Sequence, residues 1–357
     1  MTNVVQLQFR PKPVSSSEAL AASFAAHRRG KNDVFWLKEN AEFLNIHQST
    51  GASLSAEALA QYDSFYETVE NQLKFFPQYY RFLLSITLDL EDIGMPGNRG
   101  AELCEWVHNQ GLVEAELSDL QRAEAQRLLL RRIPDKICNN NELLGRLNKF
   151  ICRKETFSLP NKKAAYELTH IIFYLSAYGQ ESLSLPAEAV QSLMFTGTLA
   201  FIDENADLLA EVCIALAYAE QSVPEVWQSW LSLHAGRFVV TKSATTQDDY
   251  HEYLMCNWFL MNSGKPGFEH HLEAGEMSFF RPQGRLGVLR DLSEFLYERH
   301  ESTGPVDTVL KWPNLRSDIA ATLDTMAFEH IQDAEKALPE FEEFFAGFSR
   351  SSSGRPT

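Results

Sequence analysis

The amino-acid sequence predicts an all-α protein, a large multi-helix bundle or an α/α toroid-like assembly with about fourteen helices and little or no sheet. Three observations lead to this prediction. Apolar residues recur with a helical period along almost the whole chain. Glycine, proline and capping residues divide this pattern into segments of helical length. β-Branched residues, which favour strands, are not gathered into runs.

The first half of the chain shows start and stop signals for successive helices. Ser55 is expected to cap one of them, and Ser118 with Gln121 forms a capping-box pattern at the start of another. A Gly-Met-Pro-Gly breaker at 94–97 separates two more. The predicted helices cover residues 17–29, 33–46, 55–75, 79–90, 98–110, 118–132 and 139–152.

The second half is more apolar. Its predicted helices cover residues 161–178, 186–200, 203–220, 224–235, 247–262, 285–299, 315–331 and 333–347. Residues 237–241 are expected to form a short strand or an extended link, and 263–284 a long loop of the kind that is often functional. The segments 164–178 and 203–220 are apolar around most of their circumference, which predicts helices surrounded by protein.

The chain is expected to have loose ends and two helical regions. Residues 1–15 and the tail 349–357 are predicted to be disordered. Between them lie an N-terminal helical region, 16–155, and a C-terminal helical region, 156–348, which carries the candidate site. The two regions could also form one continuous domain.

Composition restricts the partners and the compartment. The formal net charge of −16 repels phosphate backbones and anionic lipids, so nucleic acid and membranes are not expected as partners. The chain has no apolar run of about 18 residues and no secretory signal. Its five cysteines form no CxxC pair, which indicates a reducing compartment. A cytoplasmic location and a small-molecule or protein partner are therefore predicted, and the oligomeric state stays open.

One pair of residues on the predicted helix 161–178 indicates a metal-binding or catalytic site. Glu167 and His170 are three residues apart and flanked by apolar side chains, and Tyr166 and Tyr174 lie one turn to either side of His170. A Glu-x-x-His pair aims a carboxylate and an imidazole at one point, as in dinuclear metal-carboxylate proteins. No second such pair in a buried context is found, so a dinuclear centre is not predicted.

Further acids and a histidine on the following helices extend this pair. Asp207 and Glu211 share a helix face, and His251 follows near the start of a later helix. If the helices are neighbours, Glu167, His170, Asp207, Glu211 and His251 form a site for one divalent metal, Mn, Fe or Zn. The catalytic residues would be His170, Glu167 and Tyr174.

Two other interpretations of the same residues remain open. In one, they are structural: His170 is a hydrogen-bonded core residue, Glu167 faces solvent, and the acids favour a helix start. In the other, His170 is a general base whose pKa is tuned by Glu167 without any metal, in a closed pocket walled by Tyr174 and Trp258.

The sequence thus predicts an enzyme for a small, partly apolar substrate, with two competing functions. The first is a non-catalytic binding or scaffold protein, which would use N-terminal aromatic residues as its surface: Trp36, Phe65, Phe75, Phe76, Tyr79 and Tyr80. The second is an isoprenoid-diphosphate enzyme that binds magnesium through Asp248, Asp249 and Glu252, although no second metal motif follows.

Two weaker patterns were also weighed. Cys104 and His108 lie four residues apart and could form a thiolate–imidazole pair. His270 and His271 lie among acids in the predicted loop and could bind a metal at the surface, although a solvated polar loop is the simpler interpretation.

Overall fold

The structure is a computed structural model that describes most of the chain. It covers residues 16–31, 33–137, 140–242, 247–270, 272, 275–281, 287–303 and 310–353, the side chains of 302, 303 and 350–353 excepted. The predicted disordered segment 1–15 and the end of the predicted tail, 354–357, lie outside this part.

The first half is a succession of helices joined by short turns. They are α1 (Ser16–Ala22), α2 (Val34–Thr50), α3 (Ala56–Leu59), α4 (Asp63–Phe75), α5 (Tyr80–Ile93), α6 (Arg99–Asn109), α7 (Asp119–Leu130), α8 (Asn141–Ile151) and α9 (Lys154–Phe157). One π-helical turn, Ser23–His27, follows α1, and 3₁₀ turns occupy Ala60–Tyr62, Pro77–Tyr79 and Pro134–Lys136. The Ser55 hydroxyl caps α3 as predicted, whereas Ser118 makes no capping hydrogen bond at α7.

The second half adds helices and one small sheet. Its elements are α10 (Lys162–Leu175), α11 (Ala187–Ile202), α12 (Ala206–Tyr218), α13 (Glu225–Ala235), β1 (Val239–Thr241), α14 (Tyr250–Asn262), β2 (Ser278–Phe280), α15 (Val288–Thr303), α16 (Trp312–Thr322), α17 (Thr325–Ala337) and α18 (Phe341–Ser353). The all-α prediction is confirmed. One-turn helices such as α3 and α9 raise the number of helices above the predicted value. Helix α18 continues to Ser353, inside the predicted tail 349–357.

The two strands fix the start of α14. They pair antiparallel, with Val239 opposite Phe280 and Thr241 opposite Ser278. The backbone N–H of Asp249 donates to the Phe279 carbonyl at 2.7 Å, and the Phe279 N–H donates to the Asp248 carboxylate at 3.0 Å. Strand β2 therefore lies within the predicted loop 263–284, and it anchors the residues just before α14.

Helix α12 lies at the centre of the assembly. It packs against α10, α11, α13 and α14, while α2 packs against α5 and α14. Its residues from Leu208 to Leu216 are all buried, as expected for a helix that is apolar around its circumference. Its start is fixed by Asn205, whose side chain accepts a hydrogen bond from the Leu208 N–H at 3.1 Å. The few charged residues on α12 are therefore enclosed by α10, α14 and α2.

Within the described part of the chain, no helix combines the length and the apolar character that crossing a membrane requires.

Candidate metal centre

Three side chains from two neighbouring helices bring their polar atoms together. Asp207 and Glu211 lie one turn apart on α12, and His251 lies in the first turn of α14. One potential ligand atom from each of these residues lies within 4.8 Å of the other two. This is the only such group of three or more His, Cys, Asp or Glu residues in the part of the chain that the structure describes.

His251 lies between two carboxylates. Its Nδ1 is 2.7 Å from Asp207 Oδ1, and its Nε2 is 3.4 Å from Glu42 Oε1 on α2. Burial alone would lower the pKa of His251, but hydrogen bonding and charge interactions with Asp207 and Glu42 outweigh it and hold the pKa well above its usual value. The two carboxylates therefore favour the protonated form of the imidazole.

Asp207 is held by a second donor besides His251. The Tyr166 hydroxyl on α10 donates to Asp207 Oδ2 at 2.6 Å. Burial acts to raise the pKa of Asp207, but the hydrogen bonds from His251 and Tyr166 outweigh it, so that its pKa lies below its usual value. Asp207 is therefore an ionised carboxylate with both oxygens hydrogen-bonded.

Glu211 is the most deeply buried member of the group, with 1% of its surface exposed. The Thr169 hydroxyl donates to Glu211 Oε2 at 2.6 Å, and His170 Nδ1 lies 3.7 Å from the same oxygen. Burial raises the pKa of Glu211, the neighbouring Asp207 charge adds to the increase, and the two histidines oppose it. This carboxyl therefore takes up protons more readily than an exposed one.

His170 is oriented by its own helix. Its Nδ1 lies 2.7 Å from the Tyr166 carbonyl oxygen, four residues earlier, so this nitrogen carries the proton and donates to the carbonyl. The tautomer assigned in this way leaves Nε2 as the acceptor nitrogen. The predicted alternative of a hydrogen-bonded core histidine is therefore met only for the hydrogen bond, because 35% of the His170 side chain is exposed and it lines a cavity.

The donor set fits a divalent metal. Two carboxylates and an imidazole are common ligands of divalent metals, and their potential ligand atoms lie within 4.8 Å of one another. Each is oriented by another group: Asp207 by Tyr166, Glu211 by Thr169, and His251 by Glu42. Such outer hydrogen bonds accompany metal ligands in proteins. A metal at His251 Nδ1 would replace the proton that this nitrogen shares with Asp207.

Glu42 contributes a second carboxylate to the surroundings of His251. Its Oε2 is buried, and it has no hydrogen-bond partner among the described residues. Its Oε1 lies near His251 Nε2 and 3.7 Å from Lys38 Nζ. A buried carboxylate oxygen without a partner is expected to face a water, a ligand or a cation.

The group opens onto a cavity of about 250 Å³. Glu42, His170, Glu211 and His251 contribute polar atoms to its lining. The rest of the wall combines apolar or aromatic residues with further polar ones. The apolar or aromatic residues are Ala41, Ile46, Phe82, Phe173, Tyr174, Tyr178, Met255 and Trp258, and the polar ones are Lys38, Asn45, Arg81, Ser85, Glu124 and Arg127. A cavity that combines an aromatic wall with convergent polar groups has features of a small-molecule site.

The aromatic wall is shaped by an unusual end of α10. Ala177, Tyr178 and Gly179 follow one another with φ values of 46°, 57° and 81°, all in the left-handed region. Only the third is a glycine, and a Cβ there would lie 2.5 Å from the Tyr218 ring. The turn places the Tyr178 ring 5.9 Å from Trp258 and 5.7 Å from Phe173, measured between ring centroids.

Not all of the predicted site residues come together. Asp207, Glu211 and His251 bring their ligand atoms together. His170 is not part of this group, but it lies 3.7 Å from Glu211 and lines the cavity, as does Tyr174. Glu167 does not line it. Its carboxylate lies 4.0 Å from Lys163 Nζ, four residues earlier on the same helix, and a third of its side chain is exposed. The proposed Glu167–His170 ligand pair is therefore corrected, because the two side chains diverge around α10.

The acids of the predicted magnesium motif separate to three partners. Asp248 binds Arg28 at 2.6 Å, Asp249 accepts from the Arg281 N–H at 2.9 Å, and Glu252 lies 2.7 Å from His234. They do not form a common site within the described residues, so the isoprenoid-diphosphate interpretation loses its basis.

The other predicted patterns have structural roles or fall outside the described residues. Cys104 is fully buried, and burial raises the pKa of its thiol to about 12, so it is not a thiolate at neutral pH. His271 is not described. Of the N-terminal aromatic residues, Trp36, Phe65 and Tyr80 are buried, whereas Phe75 and Phe76 are exposed.

Sequence reasoning missed Glu42, Thr169 and Arg127. Glu42 lies on α2, which is buried over most of its surface although it carries several polar residues. Polar residues on a helix that is otherwise enclosed were the signal that could have found it. Arg127 lies in the last turn of α7, but it is 8% exposed and lines the same cavity.

The fold and the site together define an all-α protein with a partly buried carboxylate–imidazole group at the wall of a small cavity. The chain belongs to the family described as a domain of unknown function, DUF6902, whose model matches residues 1–351. No curated protein and no solved structure gives a significant match.

Proposed function

We propose that this protein is a metal-dependent enzyme that acts on a small, partly apolar molecule in the cavity. The observation that supports the proposal most strongly is the convergence of Asp207, Glu211 and His251, with one potential ligand atom of each within 4.8 Å of the others. The four described cysteines are all free, which supports a cytoplasmic setting.

The proposed ligands are the two carboxylates and His251, with Mn, Fe or Zn as the metals that this donor set suits. The ion would supply a Lewis acid for polarising an oxygen of the substrate. Tyr166 and Thr169 hold the two carboxylates in place through their hydroxyl groups. Glu42 holds His251 from the opposite side of the ring.

The protein's own proton-transfer group is His170. Its Nδ1–H is fixed by the Tyr166 carbonyl, so Nε2 is the atom that can accept a proton from a substrate. The aromatic residues from Phe173 to Trp258 provide an apolar wall for the apolar part of the substrate.

The first test is the metal content of the purified full-length protein, measured by inductively coupled plasma mass spectrometry. Wild-type protein should hold about one equivalent of Mn, Fe or Zn. The Asp207→Asn/His251→Gln double variant should lose it, because two of the three proposed ligands are removed. Circular dichroism establishes whether the variant is folded.

The matched control is His234→Gln. His234 forms a similar buried histidine–carboxylate pair, with its Nε2 2.7 Å from Glu252, but it does not line the cavity. This variant should keep its metal. Wild-type protein that neither retains a metal nor binds added Mn²⁺, Fe²⁺ or Zn²⁺ in a titration would show that the proposal is wrong.

A further inference from the structure

A buried arginine on α7 faces the cavity without an acidic partner. Arg127 is 8% exposed, and it forms no ion pair with any residue that the structure describes. Its Nε is buried and has no hydrogen-bond partner among the residues that the structure describes. A buried guanidinium is costly unless an anion or several acceptors replace its water.

The other cationic side chains at the cavity lie beside carboxylates. Arg81 binds Glu116 at 3.0 Å and also contacts Glu124. Lys38 lies 3.7 Å from Glu42 and is nearly half exposed, and His251 lies 2.7 Å from Asp207. Among these side chains, Arg127 is the one that forms no ion pair with a carboxylate in the described part of the chain.

Neighbouring groups hold Arg127 in position without neutralising it. Its guanidinium carbon lies 4.7 Å from the centroid of the Tyr178 ring and 5.8 Å from that of Tyr174. Burial raises the pKa of Asp89, and the charge of Arg127 acts in the opposite direction, so the two residues are close. The Asp89 carboxylate, however, forms its ion pair with Arg131, at 2.8 Å. Stacking on aromatic rings keeps the guanidinium edge free for hydrogen bonds.

We propose that Arg127 binds the carboxylate of a small organic acid, whose apolar part contacts the aromatic wall of the cavity. The proposal rests on the proposed function in treating this cavity as the substrate site, and it adds the chemical class of the substrate. The guanidinium can donate two parallel hydrogen bonds to a carboxylate, a geometry that a lysine cannot reproduce.

Charge and size favour a monocarboxylate over a phosphate ester. Arg127 supplies one uncompensated positive charge, while Glu42, Glu124 and Glu211 line the same cavity and would repel a dianion. The volume of about 250 Å³ lies below the about 300–1,000 Å³ that is typical of sites for drug-sized ligands. The expected ligand is therefore a compact acid with one negative charge.

The test compares three probes of similar shape: phenylacetate, its neutral amide phenylacetamide, and benzylphosphonate. Their dissociation constants are measured by ligand-observed NMR titration against full-length protein that has been treated with a chelator. Wild-type protein should bind phenylacetate more tightly than either of the other two probes. Removal of the metal keeps the result independent of the proposed metal centre.

The variants identify Arg127 as the group responsible. Arg127→Met should weaken phenylacetate binding by about 10- to 100-fold, the loss expected for charge-assisted hydrogen bonds, and should leave phenylacetamide binding unchanged. Arg127→Lys should show an intermediate loss, because it keeps the charge but not the paired donors. It also provides a second variant if the methionine variant does not fold.

The control variant is Arg146→Met, which removes an exposed arginine that pairs with Asp119 at 2.7 Å and does not line the cavity. It should bind all three probes as the wild-type protein does. The inference is overturned if wild-type protein does not bind phenylacetate or prefers benzylphosphonate, or if a folded Arg127 variant binds phenylacetate as tightly as wild-type protein does.

The two proposals can fail separately. A metal-free protein that binds phenylacetate through Arg127 would contradict only the metal centre. A protein that holds one metal and ignores phenylacetate would contradict only the carboxylate inference.

Discussion

Two buried ionic clusters lie one helical turn apart on the same two segments of the chain. The structural cluster uses Glu39 of α2 and Asp248, just before α14, whereas the site cluster uses Glu42 of α2 and His251 of α14. Both lie in apolar surroundings. Comparing them shows which features distinguish a buried charge at a candidate binding site from a buried charge with a structural role.

In the structural cluster, the opposite charges are directly paired. Arg28 binds Glu39 at 2.8 Å and Asp248 at 2.6 Å, and Arg29 binds Glu39 at 2.8 Å. The Arg28 guanidinium is enclosed by aromatic rings, those of Phe24, Tyr250 and Phe279. None of these charged residues lines the cavity described above.

In the site cluster, acids outnumber firmly held cations. Asp207, Glu211 and Glu42 surround His251, and one oxygen of Glu42 has no partner among the described residues. This group opens onto a cavity. Burial and charge are common to both clusters, so the unpaired atoms and the adjacent space are the features that indicate ligand binding.

The largest effect is expected in the structural cluster. Glu39→Gln removes a fully buried carboxylate from two arginines, so the free energy of unfolding should fall by about 3–5 kcal/mol. Urea denaturation at pH 7 measures the change. Glu70→Gln, which breaks the exposed pair with Lys74, should cause no measurable change. A loss below about 1 kcal/mol for Glu39→Gln would contradict this prediction, because that is the contribution typical of an exposed ion pair.

Metal binding should stabilise only the site cluster. At a free metal concentration of about 100 times the dissociation constant, the free energy of unfolding should rise by about 2.7 kcal/mol. The gain should be absent in Asp207→Asn and should weaken as the pH falls, because a proton competes with the metal for His251. Chemical denaturation with and without the metal measures it. An equal gain in Asp207→Asn would place the ion elsewhere.

Without metal, the site cluster should make stability depend on pH. The pKa of His251 is raised on folding, so its contribution is complete below the unfolded value of about 6.5 and is lost as the pH rises through the folded pKa. The His251 contribution to the slope should reach about −1.4 kcal/mol per pH unit and should be lost in His251→Gln.

Urea denaturation of chelator-treated protein between pH 6 and pH 9 measures this slope. Asp207 is ionised throughout this range, since its pKa is lowered. The raised pKa of Glu211 contributes a slope of the same sign, so Glu211→Gln separates the two contributions. If the pH dependence of the free energy of unfolding is unchanged in His251→Gln, the proton taken up on folding belongs to another group.

The smallest effect is expected at Glu167. Because its partly exposed carboxylate faces Lys163 and not the cavity, Glu167→Gln should change the free energy of unfolding by less than about 0.5 kcal/mol. Its metal content should equal that of wild-type protein. A loss of metal in this variant would show that Glu167 is a metal ligand, as the Glu-x-x-His spacing had predicted.

The fold was predictable because helical periodicity is a local property. The enclosed helix α12 and the short strand at Val239–Thr241 both follow from the apolar pattern and its breakers. Strand β2 was missed, since its three residues are ordered by pairing with a strand far away in the sequence. The sequence pattern around β2 carries no information about a pairing with such a distant segment.

The site was predictable only in part, for geometric reasons. Asp207 and Glu211 lie one turn apart on an apolar helix, which gave the correct shared face. Glu167 and His170 differ by about 60° around their helix, enough for one side chain to reach the cavity while the other reaches solvent. Glu42 reaches the site only because α2 packs against α14, and these helices are about two hundred residues apart in sequence. The cytoplasmic location stays a prediction.

The left-handed residues at the end of α10 have a consequence for the rigidity of the wall. Outside glycine this conformation costs about 1–2 kcal/mol per residue, so Ala177 and Tyr178 keep it only while tertiary packing compensates. The Tyr178 ring supplies that packing through Trp258 and Arg127. The shape of the binding chamber and the termination of the helix are thus thermodynamically coupled, and loosening the ring would release the backbone as well.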